Sequence, residues 1–140
     1  MLALLMLGGL APKGAGAKTF SWPGYVTEYS GSSKIAVAHG GVHGVNASSD
    51  LYMSAYIRDP TGGGDPVYGR LKHQAVGTGG YGSEFNFGTG STNSSVYVLK
   101  RISQDYADIY YGYRTRPSVC ELRTGPLPNR CQDGTWKNQP

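Results

Sequence analysis

Three histidines, two cysteines and nine carboxylates are the side chains of this sequence best suited to holding a metal or moving a proton. His39 and His43 stand four apart, so on an unbroken strand they would share a face, and with His73 they would offer three imidazoles to zinc. Gly40-Gly41 lies between them and favours a bulge, which spoils that register and leaves solvent-facing or turn histidines as the expectation. Asp59 and Asp65 bracket a glycine loop. Two carboxylates fall short of the about six to eight oxygens that calcium takes, and Asp-Pro and Gly-Asp are ordinary turn residues. Gly77-Thr78-Gly79-Gly80-Tyr81-Gly82 matches G-x-G-x-x-G, but that fingerprint binds a dinucleotide only where it opens a helix, and no helical pattern follows. It reads as a connection between strands. The sequence has no G-x-S-x-G, and neither Asp105 with Asp108 nor Glu84 with Glu121 is spaced to suggest a two-carboxylate hydrolase. The reading is a protein that is not an enzyme, with no cofactor and no metal.

Ten residues lie between Cys120 and Cys131, with no C-x-x-C and no histidine near them in sequence. In an oxidising compartment they pair, and closing a loop of that length stabilises a fold by roughly 3 kcal/mol. An export leader fits that chemistry. Residues 2–10 form an apolar run, and Ala15-Gly16-Ala17 supplies a small-residue cleavage site after Ala17, although no basic residue precedes the run. The run is shorter than the ~20 residues that span a bilayer. Residues 1–17 are therefore read as a signal peptide, and the protein as secreted and extracellular, with no membrane span once the leader is removed. Asn46-Ala47-Ser48 and Asn93-Ser94-Ser95 match the glycosylation acceptor pattern. In a chain whose leader and composition look bacterial they are read as coincidence.

The rest of the chain reads as strands and turns. Among 140 residues there are 22 glycines, 8 prolines and 11 tyrosines, and only 16% are charged. That is too little charge for a typical disordered chain and suits a turn-rich all-β domain. The net charge of +4 is too small to point to nucleic acid. Residues 18–33 form an extended N-terminal arm with Phe20, Trp22, Tyr25 and Tyr29 at intervals, broken by Pro23-Gly24. Residues 34–140 form the domain. Leu51, Met53, Ala55 and Ile57 alternate with polar or aromatic residues and face inward. Across the glycine loop 59–66, the segments 51–58 and 67–76 are expected to pair as a hairpin. Phe85 and Phe87 are expected on a short core-facing strand, residues 96–102 on a strand covered on both faces, and Pro117 at an edge or a break. The fold class is all-β: a small single-domain antiparallel β-sandwich of about seven or eight strands, with an extended N-terminal arm and one disulfide.

Tyr97, Tyr106, Tyr110, Tyr111 and Tyr113 crowd one part of the chain. Exposed tyrosines give rigid contact area at low entropic cost. The expected partner-binding residues are Phe20, Trp22, Tyr25 and Tyr29 on the arm and Tyr110, Tyr111 and Tyr113 on the tyrosine-rich flank.

Three stretches between residues 49 and 136 carry a resemblance. They are Ala55-Tyr56-Ile57-Arg58-Asp59 followed by Gly63-Gly64 and Val67-Tyr68-Gly69-Arg70-Leu71, then the Gly/Asn/Ser-rich middle, then Arg116-Pro117-Ser118-Val119-Cys120-Glu121 with Cys131 and Trp136. The arrangement resembles the small exported β-sandwich proteins of actinomycete bacteria, departing from them at Pro117. Some proteins of this kind are adaptor subunits of umbrella toxin particles, secreted antibacterial assemblies. The resemblance implies a sandwich that joins a toxin stalk polypeptide to a lectin-bearing subunit, with its N-terminal segment in a cleft of the latter. The function expected is thus an exported non-catalytic adaptor that binds other secreted proteins. Two alternatives use other features. A cell-wall or polysaccharide-binding module would stack Tyr110 and Tyr111 on sugars. A secreted protease inhibitor would present residues 124–130 inside the disulfide ring, with Arg130 or Arg123 as its anchor.

Overall fold

A computed structural model describes residues 18–77, 79–105 and 112–139. Residues 1–17, read above as a signal peptide, and the tyrosines Tyr106, Tyr110 and Tyr111 lie outside them. The described residues form ten strands: β1 (Lys18–Ser21), β2 (Val26–Ser30), β3 (Ser33–Val45), β4 (Asp50–Arg58), β5 (Val67–Gly77), β6 (Gly80–Thr92), β7 (Val98–Asp105), β8 (Tyr113–Glu121), β9 (Arg130–Asp133) and β10 (Lys137–Gln139). They make two five-stranded antiparallel sheets. In the first, β1 and β2 share one edge of β3, and β4 and β7 follow on the other side. In the second, β9 and β10 share one edge of β8, and β5 and β6 follow. Among the described residues no helix is long and apolar enough to cross a membrane.

The alternation of β4 sets the core. Leu51, Met53, Ala55 and Ile57 are all fully buried, and across the core they meet Val67, Leu71, Tyr113 and Val119 of the second sheet. Each large apolar side chain so buried contributes about 1.5–3 kcal/mol. The expected hairpin of 51–58 with 67–76 does not form. β4 pairs with β3 and β7, whereas β5 pairs with β6 and β8. The loop between them passes from one sheet to the other, so both segments bury the same kind of alternate face without sharing a ladder. Alternation reports which face is buried and says nothing about which strand lies alongside.

The arm is extended, and it is paired. β1 runs antiparallel to 42–45 and β2 to 33–38, both on β3. Trp22 and Val26 are each only 5% exposed and belong to the core. The arm splits into two strands, and the C-terminal stretch likewise splits into β9 and β10, which brings the number above the seven or eight expected.

β7 is an edge strand with Leu99 exposed, not a strand covered on both faces. β6 is much longer than the short strand expected around Phe85 and Phe87. Both phenylalanines point to the core side, where Phe87 packs against the core, but Phe85 is 47% exposed. β8 runs unbroken through Pro117. The proline carbonyl accepts a hydrogen bond from the Gly134 N–H at 2.7 Å, at the point where the ladder passes from β9 to β10. A residue's N–H and C=O point to the same side of a strand, so the missing donor falls in the gap between those two partners. Cys120 and Cys131 sit opposite each other on β8 and β9 and form the disulfide.

Candidate functional site

Each sheet turns its other set of alternate residues outward. On the first sheet His39 lies opposite Tyr56, and Val37 opposite Arg58. The His39 ring is the hub of an aromatic cluster. Its centroid is 4.7 Å from that of Tyr25, 5.8 Å from Tyr56 and 4.5 Å, edge on, from Tyr97. The Arg58 guanidinium lies 5.3 Å over Tyr97. Such contacts fix ring orientations. A groove of about 820 Å³ opens beside the cluster, with the buried Val37 at its base, Tyr25, Tyr29, Lys34, Arg58 and Tyr97 around it, and residues 132–135 on the side of the second sheet. Tyr25 is 68% exposed and Tyr29 48%.

The structure divides the sequence-predicted residues. Of the arm's four aromatic residues, Tyr25 and Tyr29 reach the groove. Phe20 is half-buried, its ring 5.7 Å from that of His43. Trp22 is in the core, and its indole N–H has no hydrogen-bond partner among the described residues. Tyr113 is fully buried and so cannot offer surface to a partner. Its hydroxyl donates to the Lys18 carbonyl at 2.9 Å, tying β8 to β1 across the two sheets, and burial pushes the phenol up to about 12. Tyr110 and Tyr111 lie outside the described residues. Within the disulfide ring residues 124–129 are exposed while Arg130, at the start of β9, is half-buried, and Asn129 anchors the loop by accepting from the Arg123 N–H at 3.1 Å and donating to the Tyr68 hydroxyl at 3.1 Å.

The outward face of the second sheet is cationic. Arg70 and Lys72 on β5 neighbour Ser118, Arg116 and Arg114 on β8, with Lys72 directly opposite Arg116. Asp133 pins three of these cations, at 3.4 Å from Arg70, 3.3 Å from Lys72 and 3.3 Å from Arg116, and it accepts a hydrogen bond from the Ser118 hydroxyl. Burial alone would raise its carboxyl; the Ser118 hydrogen bond and the Arg116 and Lys72 charges outweigh burial and hold it below the usual carboxylate range. Arg114 lies 3.6 Å from the centre of the Tyr81 ring and 4.2 Å from that of Trp136, and Arg116 lies 4.5 Å from the Trp136 ring.

Gly41 decides the fate of the histidine pair. Its φ is +77°, and a Cβ there would collide with the Ser54 carbonyl. The resulting bulge lies between His39 and Val42 and turns His39 outward and His43 inward. His43 Nδ1 shares a 2.8 Å hydrogen bond with the Thr115 hydroxyl. Burial, with a smaller push from the Lys137 charge, lowers the His43 imidazole to about 4, and burial lowers His73 to about 4. Asp59 acts as a turn residue, its Oδ1 accepting from the Thr61 N–H at 3.0 Å and the Thr61 hydroxyl at 2.6 Å. Among the described residues no group of three or more His, Cys, Asp or Glu is gathered to hold a metal ion.

No protein-family profile, no curated protein and no solved structure matches this chain.

Sequence reasoning missed His39, Tyr56, Arg58 and Tyr97 as one cluster, and Tyr81, Arg114 and Trp136 as another. The outward positions 56 and 58 of β4 could have been flagged, because alternation fixes that face as firmly as the buried one. The rings from 25, 97, 81 and 136 come from other strands and loops, and only the pairing of strands brings them in.

Proposed function

We propose that this chain is an exported, non-catalytic adaptor that binds partner proteins, and that an extended segment of the partner docks in the groove beside Tyr25, Tyr29 and Tyr97. The observation that carries this reading is the pair of strongly exposed arm tyrosines at the rim of an open groove, next to a cluster of rings already held in place. Preordered aromatic rings lose little entropy on binding. The disulfide and the apolar leader support an extracellular setting. The resemblance to adaptor subunits of umbrella toxin particles points to a lectin-bearing subunit and a toxin stalk as partners. The arm takes part through its two outward tyrosines, and its buried Trp22 keeps those tyrosines in place.

The test uses the tagged mature chain as bait in native culture supernatant, beside a Tyr25→Ala/Tyr29→Ala variant. A defined protein retained by the wild type and lost from the variant, at an unchanged thermal midpoint, supports the reading. Equal retention by both overturns it. Retention on insoluble wall glycan with no protein partner would favour the polysaccharide-binding alternative.

A further inference from the structure

The outward face of the second sheet carries a separate inference that does not rest on the groove. We propose that Arg114, with Lys72 and Arg116 beside it, binds the oxyanionic groups of an acidic glycan, whether sulfate, phosphate or carboxylate.

The argument begins with spacing. Arg114 and Arg116 are two apart on β8, and Lys72 faces Arg116 from β5. Residues two apart on a strand lie about 6.6–6.8 Å from each other, and neighbouring strands about 4.8 Å apart. The side chains thus form a compact patch of positive charge. The carboxylates near it are already engaged. Asp133 holds Arg70, Lys72 and Arg116, and Glu84 sits 3.8 Å from Lys72. Arg114 has no carboxylate within ion-pair distance among the described residues.

Arg114 is also held still. Its Nε donates to Gln74 Oε1 at 2.7 Å, and the rings of Tyr81 and Trp136 lie against its guanidinium. A guanidinium fixed in this way has already lost its side-chain freedom, and its terminal N–H groups remain in the plane, where a forked oxyanion is best received. Arg114 covers one face of Tyr81, and both Arg114 and Arg116 lie against Trp136, which leaves less ring surface for stacking nucleotide bases. The disulfide fits an oxidising exterior, where the abundant polyanions are glycans.

The test is calorimetric titration of the mature chain with a sulfated heparin oligosaccharide at low and at physiological salt. A single-stranded oligonucleotide and inorganic sulfate serve as comparison ligands. The oligosaccharide should bind, more weakly as salt rises. Arg114→Gln should lower its affinity roughly tenfold, the expected loss for one charge-assisted contact. Arg114→Lys keeps the charge without the planar fork and should still lose several-fold, which covers the case where Arg114→Gln fails to fold. Tyr29→Ala, in the groove, should change nothing. Failure to bind at low salt, wild-type affinity in both folded Arg114 variants, or tighter binding of the oligonucleotide would each overturn the proposal.

Discussion

The outward faces of the two sheets are produced by the same strand alternation and carry opposite kinds of chemistry. On the first sheet the positions opposite the core hold His39, Tyr56 and Arg58, with Tyr25 and Tyr97 brought alongside, and rings dominate. On the second they hold Arg70, Lys72, Arg114 and Arg116, and rings serve mainly to hold a guanidinium. The difference lies in what is left over. The first face leaves exposed tyrosine surface next to a groove, and the second leaves a cation, Arg114, without a counter-ion among the described residues. One core thus supports two surfaces that can be altered separately, provided the core itself is untouched.

The sharpest way to break that independence is to cut the core. Trp22→Ala removes a buried indole that anchors the arm. It should cost about 3–5 kcal/mol and lower the thermal midpoint, so that both faces fail together. A midpoint close to wild type would mean that the arm is not part of the shared frame.

Acid should act next, again on both faces. In the unfolded chain His43 and His73 take up protons near 6.5, and in the folded chain only near 4. Between those values the unfolded state binds more protons. Stability is therefore complete above pH 6.5 and falls as pH drops toward 4, by about 3 kcal/mol for each histidine. Chemical denaturation at pH 7 and pH 4.5 measures this, and His73→Phe should flatten the profile.

Replacing both cysteines by serine should cost about 2–4 kcal/mol. The disulfide joins β8 to β9, three residues before Gly134, so the loss should be felt first where Trp136 meets Arg114. Oligosaccharide affinity should fall first, and partner capture should weaken with it, because residues 132–135 also wall the groove. The smallest effect on stability is expected for Tyr25→Ala/Tyr29→Ala, within about 0.5 kcal/mol for each exposed site, while partner capture is lost. A large drop in the midpoint there would turn those rings from contact surface into packing.

Much of the frame was legible in the residues. Leu51, Met53, Ala55 and Ile57 gave the buried face of β4 directly, and Cys120 and Cys131 gave the disulfide. The partner of β4 was not legible, because a turn-rich loop can close a hairpin or carry the chain to the opposite sheet with the same residues. Tyr113 misled because it follows a run of tyrosines, and its inward direction shows only in the fold, where it is buried in the core and bonded to Lys18, far away in sequence. The candidate site was half legible: Tyr25 and Tyr29 were found by type and spacing, whereas Arg114, Tyr81 and Trp136 meet only once β5, β6 and β8 are laid side by side and the segment between β9 and β10 crosses Pro117.

The loop from β4 to β5 also bears on how the chain reaches its structure. Because it changes sheets, each central strand takes a partner far along the chain: Asp50 lies opposite Asp105, and Val67 opposite Glu121. Those ladders close only after most of the polypeptide is present, and loop-closure entropy must be overcome before any of their hydrogen bonds form. Folding is then expected on the millisecond-to-second scale typical of sandwiches with non-local pairing, with nascent chains spending that time with β4 and β5 paired on one edge only, to β3 and β6, and their apolar faces open.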